Sequence, residues 1–176
     1  ITHLWFVTLH PFDDGNGRIT RTLTDLSLAQ MDEQSIRLYA MSTAILNKRK
    51  SYYEILEQTQ KNDSDITDWL VWFLDTLNDS LEKTLAQISR TLFKSQFWHK
   101  YSNLALSEEQ RKVLNRLLDG GENGFEHGIS ASQYQKVAKI SKATATRHLS
   151  DLLEKKCIVK LEGGGRNTRY QINTQL

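Results

Sequence analysis

The chain has 176 residues and a formal net charge of +2, enough length for one domain or two small ones. Its 39% hydrophobic and 25% charged content is that of a folded globular chain, and no apolar run approaches bilayer length, so no membrane partner is expected. The single cysteine, Cys157, excludes an internal disulfide and a cysteine-rich metal site, which fits a cytoplasmic location.

Residues 1–9 read as the end of a helix, with Leu4, Trp5 and Leu9 on one apolar stripe. A helix that begins at Ile1 without a cap reads as a cut end, so the chain is expected to be the C-terminal part of a longer protein. The next twelve residues, His10-Pro11-Phe12-Asp13-Asp14-Gly15-Asn16-Gly17-Arg18-Ile19-Thr20-Arg21, combine a histidine, two carboxylates, a Gly-Asn-Gly turn and two arginines. Ile19, Leu23, Leu26 and Gln30 then recur at helical spacing, so a second helix is predicted from near Gly17.

A glycine-rich loop that opens a helix is an anion site, because its N–H groups converge and the helix N-terminus adds partial positive charge. Arg18 and Arg21 lie about one helical turn apart, so both can address one polyphosphate with planar guanidinium forks. Asp14 is placed to hold Mg²⁺ against phosphate oxygens. His10 is the side chain there suited to take a proton near neutral pH.

The stretch resembles the Fic-domain motif His-x-Phe-x-(Asp/Glu)-Gly-Asn-Gly-Arg-x-x-Arg at every fixed position. The resemblance implies a mainly α, Fic-type helical bundle and a protein adenylyltransferase, which moves AMP from Mg·ATP to a Ser, Thr or Tyr hydroxyl of a protein substrate. It implies His10 as the base, Asp14 as the metal ligand, and Gly15, Asn16 and Gly17 as the anion hole, with Asn16 reaching the α-phosphate region. Arg18 and Arg21 would hold the β- and γ-phosphates, and Phe12 would be a packing anchor that fixes the loop. Two rival uses of the same site are a nucleotide-sensing regulator that no longer transfers AMP, against which the intact His10 argues, and removal of AMP from a modified protein. No convincing (Ser/Thr)-x-x-x-Glu-(Gly/Asn) inhibitory segment is found in the chain.

Asp32 to Gln34 reads as a connection, and a helix is predicted with Ile36, Tyr39, Ala40 and Ala44 on one face. Asn47 to Lys50 is polar and breaks the pattern, and Tyr52, Tyr53, Leu56 and Thr59 suggest another helix. Members of the resembling family place a tyrosine at about this distance to line the adenine pocket; that implies Tyr53, with Tyr52 as the alternative. After the polar loop Lys61 to Asp65, Asp65 or Thr67 can cap the next helix. Ile66, Trp69, Leu70, Phe73, Leu74, Leu77 and Leu81 mark an amphipathic helix. Leu85, Ile88 and Leu92 continue its stripe toward Phe97 and Trp98. The segment from Asp65 to Leu74 also resembles a late helix of bacterial Fic proteins.

The predicted organisation is a Fic part over 1–98, a linker over 99–106 and a second domain over 107–176. That second domain carries 12 basic and 8 acidic residues, net +4, against net −2 elsewhere, a bias suggestive of nucleic acid. Ser107 with Gln110 fits a capping box ahead of Val113, Leu114, Leu117 and Leu118. Gly120 to Gly124 is turn-rich. Ser130 with Gln133 fits a second capping box for a short helix ending near Lys139, and Ser141 fits the N-cap of a third, which buries Ala145, Leu149 and Leu152. Ile158 to Leu161 and Thr168 to Ile172 read as strands flanking a tip from Gly163 to Asn167.

Helix, helix, tight turn, helix and hairpin resembles a winged helix-turn-helix domain, which implies duplex DNA as a partner. Lys142, Thr144, Thr146 and Arg147 would reach bases or phosphates, and Arg166 and Arg169 would sit near phosphates. The alternative use of that module is protein–protein contact, a homodimer included. Such domains often carry glycine after the third helix for a left-handed cap, where this chain has Lys156-Cys157. Cys157 reads as a small buried residue.

Overall fold

A computed structural model describes residues 1–32, 40–61, 65–120, 125, 127–162 and 168–175. Among them are eight helices and three short strands, and the chain divides into two compact units, Ile1–Gln87 and Ile88–Leu176.

The first unit holds α1 (Thr2–Leu9), α2 (Asn16–Asp32), α3 (Met41–Asn47), α4 (Arg49–Lys61) and the first half of α5 (Thr67–Lys100). Leu4, Met41, Ile45, Tyr52, Leu56 and Trp69 form its buried core. Ile36 and Tyr39 lie outside the described residues; α3 begins at Met41 and buries Met41, Ala44 and Ile45. As expected from the Asp65 signal, the Thr67 N–H donates to Asp65 Oδ1 at 2.9 Å, and hydrogen bonding from the Thr67 hydroxyl first, then from its N–H, holds the Asp65 carboxyl below its ordinary pKa.

Three apolar stripes differ from the prediction. On α1 the buried side chains are His3 and Leu4, while Trp5 and Leu9 are exposed. On α2 the buried row is Asn16, Thr20 and Thr24 at i, i+4 and i+8, and Leu26 is exposed. On α5 Trp69 is buried and Phe73 and Leu77 pack against the core as expected, as does Ile66 just before the helix, but Thr76 and Ser80 join the buried row and Leu70, Leu74, Leu85, Ile88 and Leu92 are exposed. Small hydroxyl residues reach buried positions because their hydroxyls are satisfied, the threonines within their own helix and Ser80 from outside it. Thr20 Oγ1 donates to the Asn16 carbonyl and Thr24 Oγ1 to the Thr20 carbonyl, both at 2.7 Å. Thr76 Oγ1 donates to the Trp72 carbonyl at 2.8 Å, and Ser80 Oγ accepts the Ala40 N–H at 2.7 Å. A satisfied hydroxyl carries little burial penalty, so helix packing overrides the hydropathy pattern.

The second unit holds the end of α5, then α6 (Glu108–Asp119), β1 (Ile129–Ser130), α7 (Ala131–Ala138), α8 (Lys142–Glu154), β2 (Ile158–Lys160) and β3 (Arg169–Ile172). Residues 99–106 are not a linker apart from it. Tyr101 is buried beside Phe97 in its core, and the division between units falls within α5. Both predicted capping boxes are present, Ser107 with Gln110 and Ser130 with Gln133. Ser141 caps α8, whose buried face is Ala145, Leu149 and Leu152.

The sheet has the antiparallel order β1-β3-β2, with Ile129 opposite Tyr170 and Ile158 opposite Ile172. Strand β1 is too short for an alternation signal. Its entry is set by Gly128 at φ +73, where a Cβ would meet the Tyr170 carbonyl oxygen at 2.7 Å, so only glycine fits.

The left-handed cap after α8 forms without glycine: Lys156 has φ +56. The Cys157 N–H reaches the Leu152 carbonyl and the Lys156 N–H the Leu153 carbonyl, both at 3.0 Å, which is the Schellman pattern. The Lys156 carbonyl accepts from Tyr101 Oη at 2.6 Å and Asn173 Nδ2 at 3.0 Å, so tertiary contacts enforce the conformation. Left-handed backbone costs a non-glycine residue about 1–2 kcal/mol, partly offset by the larger unfolded-state entropy of glycine. Lys156→Gly is therefore expected to stabilise this unit by up to about 1 kcal/mol; thermal or urea unfolding of the full chain measures it, and an unchanged or lower midpoint contradicts the strain.

Candidate functional site

Helix α1 delivers His10 at its C-cap, in left-handed conformation (φ 46, ψ 53), with its N–H donating to the Phe6 carbonyl at 3.1 Å. Histidine is among the residues that visit this region more readily, and the backbone reverses there into the loop. The imidazole is exposed. Gly15 makes the second reversal at φ +84. Its carbonyl accepts the N–H groups of Arg18 and Ile19 at 3.0 Å each and opens α2 at Asn16. The first N–H groups of a helix have no intrahelical acceptor, so the start of α2 presents donors and partial positive charge.

Asn16 is placed differently from the expectation. It is 2% exposed; its Oδ1 accepts the Phe12 N–H at 3.1 Å, and its Nδ2 donates to the Phe12 carbonyl. The amide therefore clasps both polar groups of one residue across the loop instead of reaching for a phosphate. Phe12 also departs from the packing-anchor expectation. Its ring is 52% exposed and lies 6.2 Å from the Phe6 ring, so its peptide group, not its ring, is what fixes the loop.

The arginines lie along the glycines. Arg18 Nη2 is 3.5 Å from where a Gly15 Cβ would stand, and Arg21 Nη1 is 3.7 Å from that position at Gly17. Arg18 also pairs with Asp14 at 3.0 Å, both largely exposed. The expected phosphate fork and the expected metal ligand thus neutralise each other across one helical turn. An exposed pair of this kind contributes at most about 1 kcal/mol and is readily exchanged. Asp14 is an exposed carboxylate beside Asp13, also exposed, and among the described residues no cluster of three acidic, histidine or cysteine side chains could hold a metal. That donor set suits Mg²⁺, which keeps water and substrate phosphate as its other ligands.

Arg21 faces a cavity of about 470 Å³, shared with Ser42, Thr43, Arg49, Tyr52 and Tyr53. The fold therefore brings a motif arginine and both candidate tyrosines to one space. Tyr53 is 56% exposed, and the Arg49 guanidinium lies 5.8 Å from its ring centre, within cation–π range. Tyr52 is buried, and burial raises its hydroxyl to a pKa of about 12. Sequence reasoning missed Arg49, Ser42 and Thr43, which join the site only through the packing of α3 and α4.

It also missed His3. Its ring is 2% exposed, with Nδ1 2.7 Å from Thr24 Oγ1 and Nε2 3.0 Å from Tyr52 Oη. Its spacing of seven residues from His10 was the available signal.

In the second unit, Lys142, Thr146 and Arg147 are exposed and line one shallow surface of α8 with Ser150. Thr144 is not free to read bases. Its N–H donates to Ser141 Oγ at 3.2 Å, and the two hydroxyls lie 3.0 Å apart, so it belongs to the cap. Arg169 Nη1 donates to the Gly128 carbonyl at 3.0 Å; this ties β3 to the turn before β1, and the guanidinium is not held solely for phosphate. Arg166 lies outside the described residues.

A model of the Fic/DOC family matches residues 1–28 of the chain. The match covers α1, the loop and most of α2, which are the elements that carry His10 and the two arginines. None of the described helices is long and apolar enough to cross a membrane.

Burial holds His3 at a pKa of about 4, with nearby positive charge including Arg21 contributing. The folded value lies below the ordinary 6.5, so on acidification the unfolded chain takes up a proton that the native state refuses. The stability from neutral His3 is complete above pH 6.5 and is lost as pH falls toward 4, at about 1.4 kcal/mol per pH unit within that window. Unfolding midpoints at pH 7 and 4.5 should diverge in the wild type and converge in His3→Gln; equal pH slopes would sink the assignment.

Proposed function

We propose that the first unit is a Fic-type nucleotidyltransferase that moves AMP from ATP to a Ser, Thr or Tyr hydroxyl of a protein. The observation that carries this reading is the single space faced by Arg21, Tyr52 and Tyr53, with Arg21 also lying along Gly17 in the first turn of α2 and Arg18 along Gly15. Polyphosphate suits the arginines and the free N–H groups of the helix start, and a nucleobase suits the tyrosine wall.

The substrate hydroxyl oxygen forms a bond to the α-phosphorus, the bond from that phosphorus to the bridging oxygen breaks, and pyrophosphate leaves. His10 takes the hydroxyl proton. Asp14 would hold Mg²⁺, which would supply charge neutralisation at the phosphates, and Arg18, now paired with Asp14, would hold the departing phosphates. Asn16 contributes by keeping the loop closed. The same groups would serve removal of AMP from a modified protein, with water as the attacking hydroxyl.

His10→Ala is expected to lower AMP transfer by at least ~10²–10⁴-fold, the usual contribution of a general base, while Mg·ATP binding persists. Arg18→Ala is expected to weaken Mg·ATP binding itself. Labelled ATP with host-cell proteins reads the transfer, and calorimetry reads the binding. Undiminished labelling by His10→Ala refutes the base, and wild-type affinity in Arg18→Ala refutes the phosphate clamp.

For the second unit, we propose duplex DNA as the partner, on the exposed Lys142, Thr146 and Arg147 face of α8. Arg147→Ala is expected to weaken binding by roughly 1–3 kcal/mol if it contacts a base edge. Affinity should fall with rising salt, because each neutralised phosphate releases counterions. Gel shifts on the gene's upstream DNA at increasing salt test this. Absence of binding at low salt by the folded chain would make the unit a protein-contact module.

A further inference from the structure

The His3 imidazole occupies a junction. Thr24 is on α2, Tyr52 on α4, and the ring lies 5.4 Å from Trp69 and 5.8 Å from Phe73 on α5. The proton positions follow from the bonds. Thr24 Oγ1 already donates to the Thr20 carbonyl at 2.7 Å, so it accepts from His3, and Nδ1 carries the hydrogen. Nε2 is then the acceptor for the Tyr52 hydroxyl at 3.0 Å. A neutral imidazole supplies one donor and one acceptor on a rigid ring, which is what a buried site between these two hydroxyls requires.

The helices tied by this ring carry the candidate chemistry. Helix α1 ends at His10, α2 carries Arg21, and Tyr52 stands in the cavity wall beside Tyr53, ring centres 5.2 Å apart. We propose that His3 is a positioning residue for the nucleotide cavity: by accepting from Tyr52 while donating to Thr24, it sets the tyrosine wall in register with the arginine helix and with the helix that ends at His10. The proposal rests on the reading that this cavity takes the nucleotide. A histidine serving only as core filler would need either bond no more than the other, whereas a positioning residue needs the Tyr52 bond for binding.

Two substitutions separate those cases in the full chain. In His3→Asn the amide nitrogen takes the place of Nδ1, keeps the Thr24 bond and leaves the Tyr52 hydroxyl without its acceptor. In His3→Gln the amide oxygen reaches the place of Nε2, keeps the Tyr52 bond and loses Thr24. Both should lower the unfolding midpoint. Affinity for Mg·ATP should fall about tenfold in His3→Asn, the scale of one lost buried hydrogen bond, and stay near wild type in His3→Gln. Tyr52→Phe removes only the hydroxyl and should match His3→Asn, with the double variant no weaker than either; it decides the matter if His3→Asn does not fold. Equal affinities for His3→Asn and His3→Gln, or wild-type affinity in Tyr52→Phe, would overturn the positioning role alone. A wild-type chain that binds no Mg·ATP would overturn the nucleotide reading, and the positioning role with it.

Discussion

The clasp of Asn16 on Phe12 is the constraint on which the site depends. Between His10 and Asn16 the chain reverses twice, at φ 46 and at φ +84, and short loops without regular structure leave peptide groups to be satisfied. Asn16 supplies an acceptor and a donor to one residue across the turn, and does so while buried, where such bonds are electrostatically stronger than in water. The loop is thereby closed from within the first turn of α2, leaving the arginine heads and helix N–H groups available on the outside. Alanine in its place would leave both Phe12 peptide groups without those partners.

A second consequence is that the core beside the site is polar in unusual places. Asn16, Thr20 and Thr24 form the buried row of α2, and His3 completes the row from α1. An apolar row would bury more hydrocarbon, but it would slide with less penalty. Directional bonds between a hydroxyl, an imidazole and a phenol fix the rotation of each helix, because every misregistered arrangement leaves a buried polar group unsatisfied at about 1–3 kcal/mol. Placing that kind of core next to Arg21 and Tyr52 ties helix register to cavity shape.

The second unit reaches order by different means. Its helices start with side-chain caps that satisfy free N–H groups, worth about 1 kcal/mol each. Its helix ends use left-handed residues at Lys139 and Lys156, where neither residue is favoured. Bonds from Tyr101 and Asn173 hold the second of these. Stability there is shared between strong local signals at helix starts and tertiary enforcement at helix ends.

Local chemistry explains what was legible in the sequence. The twelve residues from His10 to Arg21 announced a glycine turn that opens a helix, because glycine geometry and helix-start donors act within a few residues. Ser107, Ser130 and Ser141 announced three helix starts for the same reason, and the alternation around Val159 and Tyr170 announced two strands. The stripes of α1, α2 and α5 were legible only in part: Leu4, Trp69, Phe73 and Leu77 face the core as expected, while Thr20, Thr24 and Thr76 are buried with each hydroxyl donating to the carbonyl four residues back in its own helix, which hydropathy does not report. The resemblance implied Phe12 as a packing anchor, yet its peptide group carries the restraint. Strand β1 exists only because β3 passes beside Gly128. Tyr53 could be placed by resemblance, but its shared space with Arg21 and Arg49 depends on the packing of three helices. The sequence alone determined the chemical groups and the loop that presents them. Tertiary structure alone decided which of those groups face each other, because the bonds from His3 to Thr24 and Tyr52 join residues 21 and 49 positions apart, beyond the reach of any local pattern.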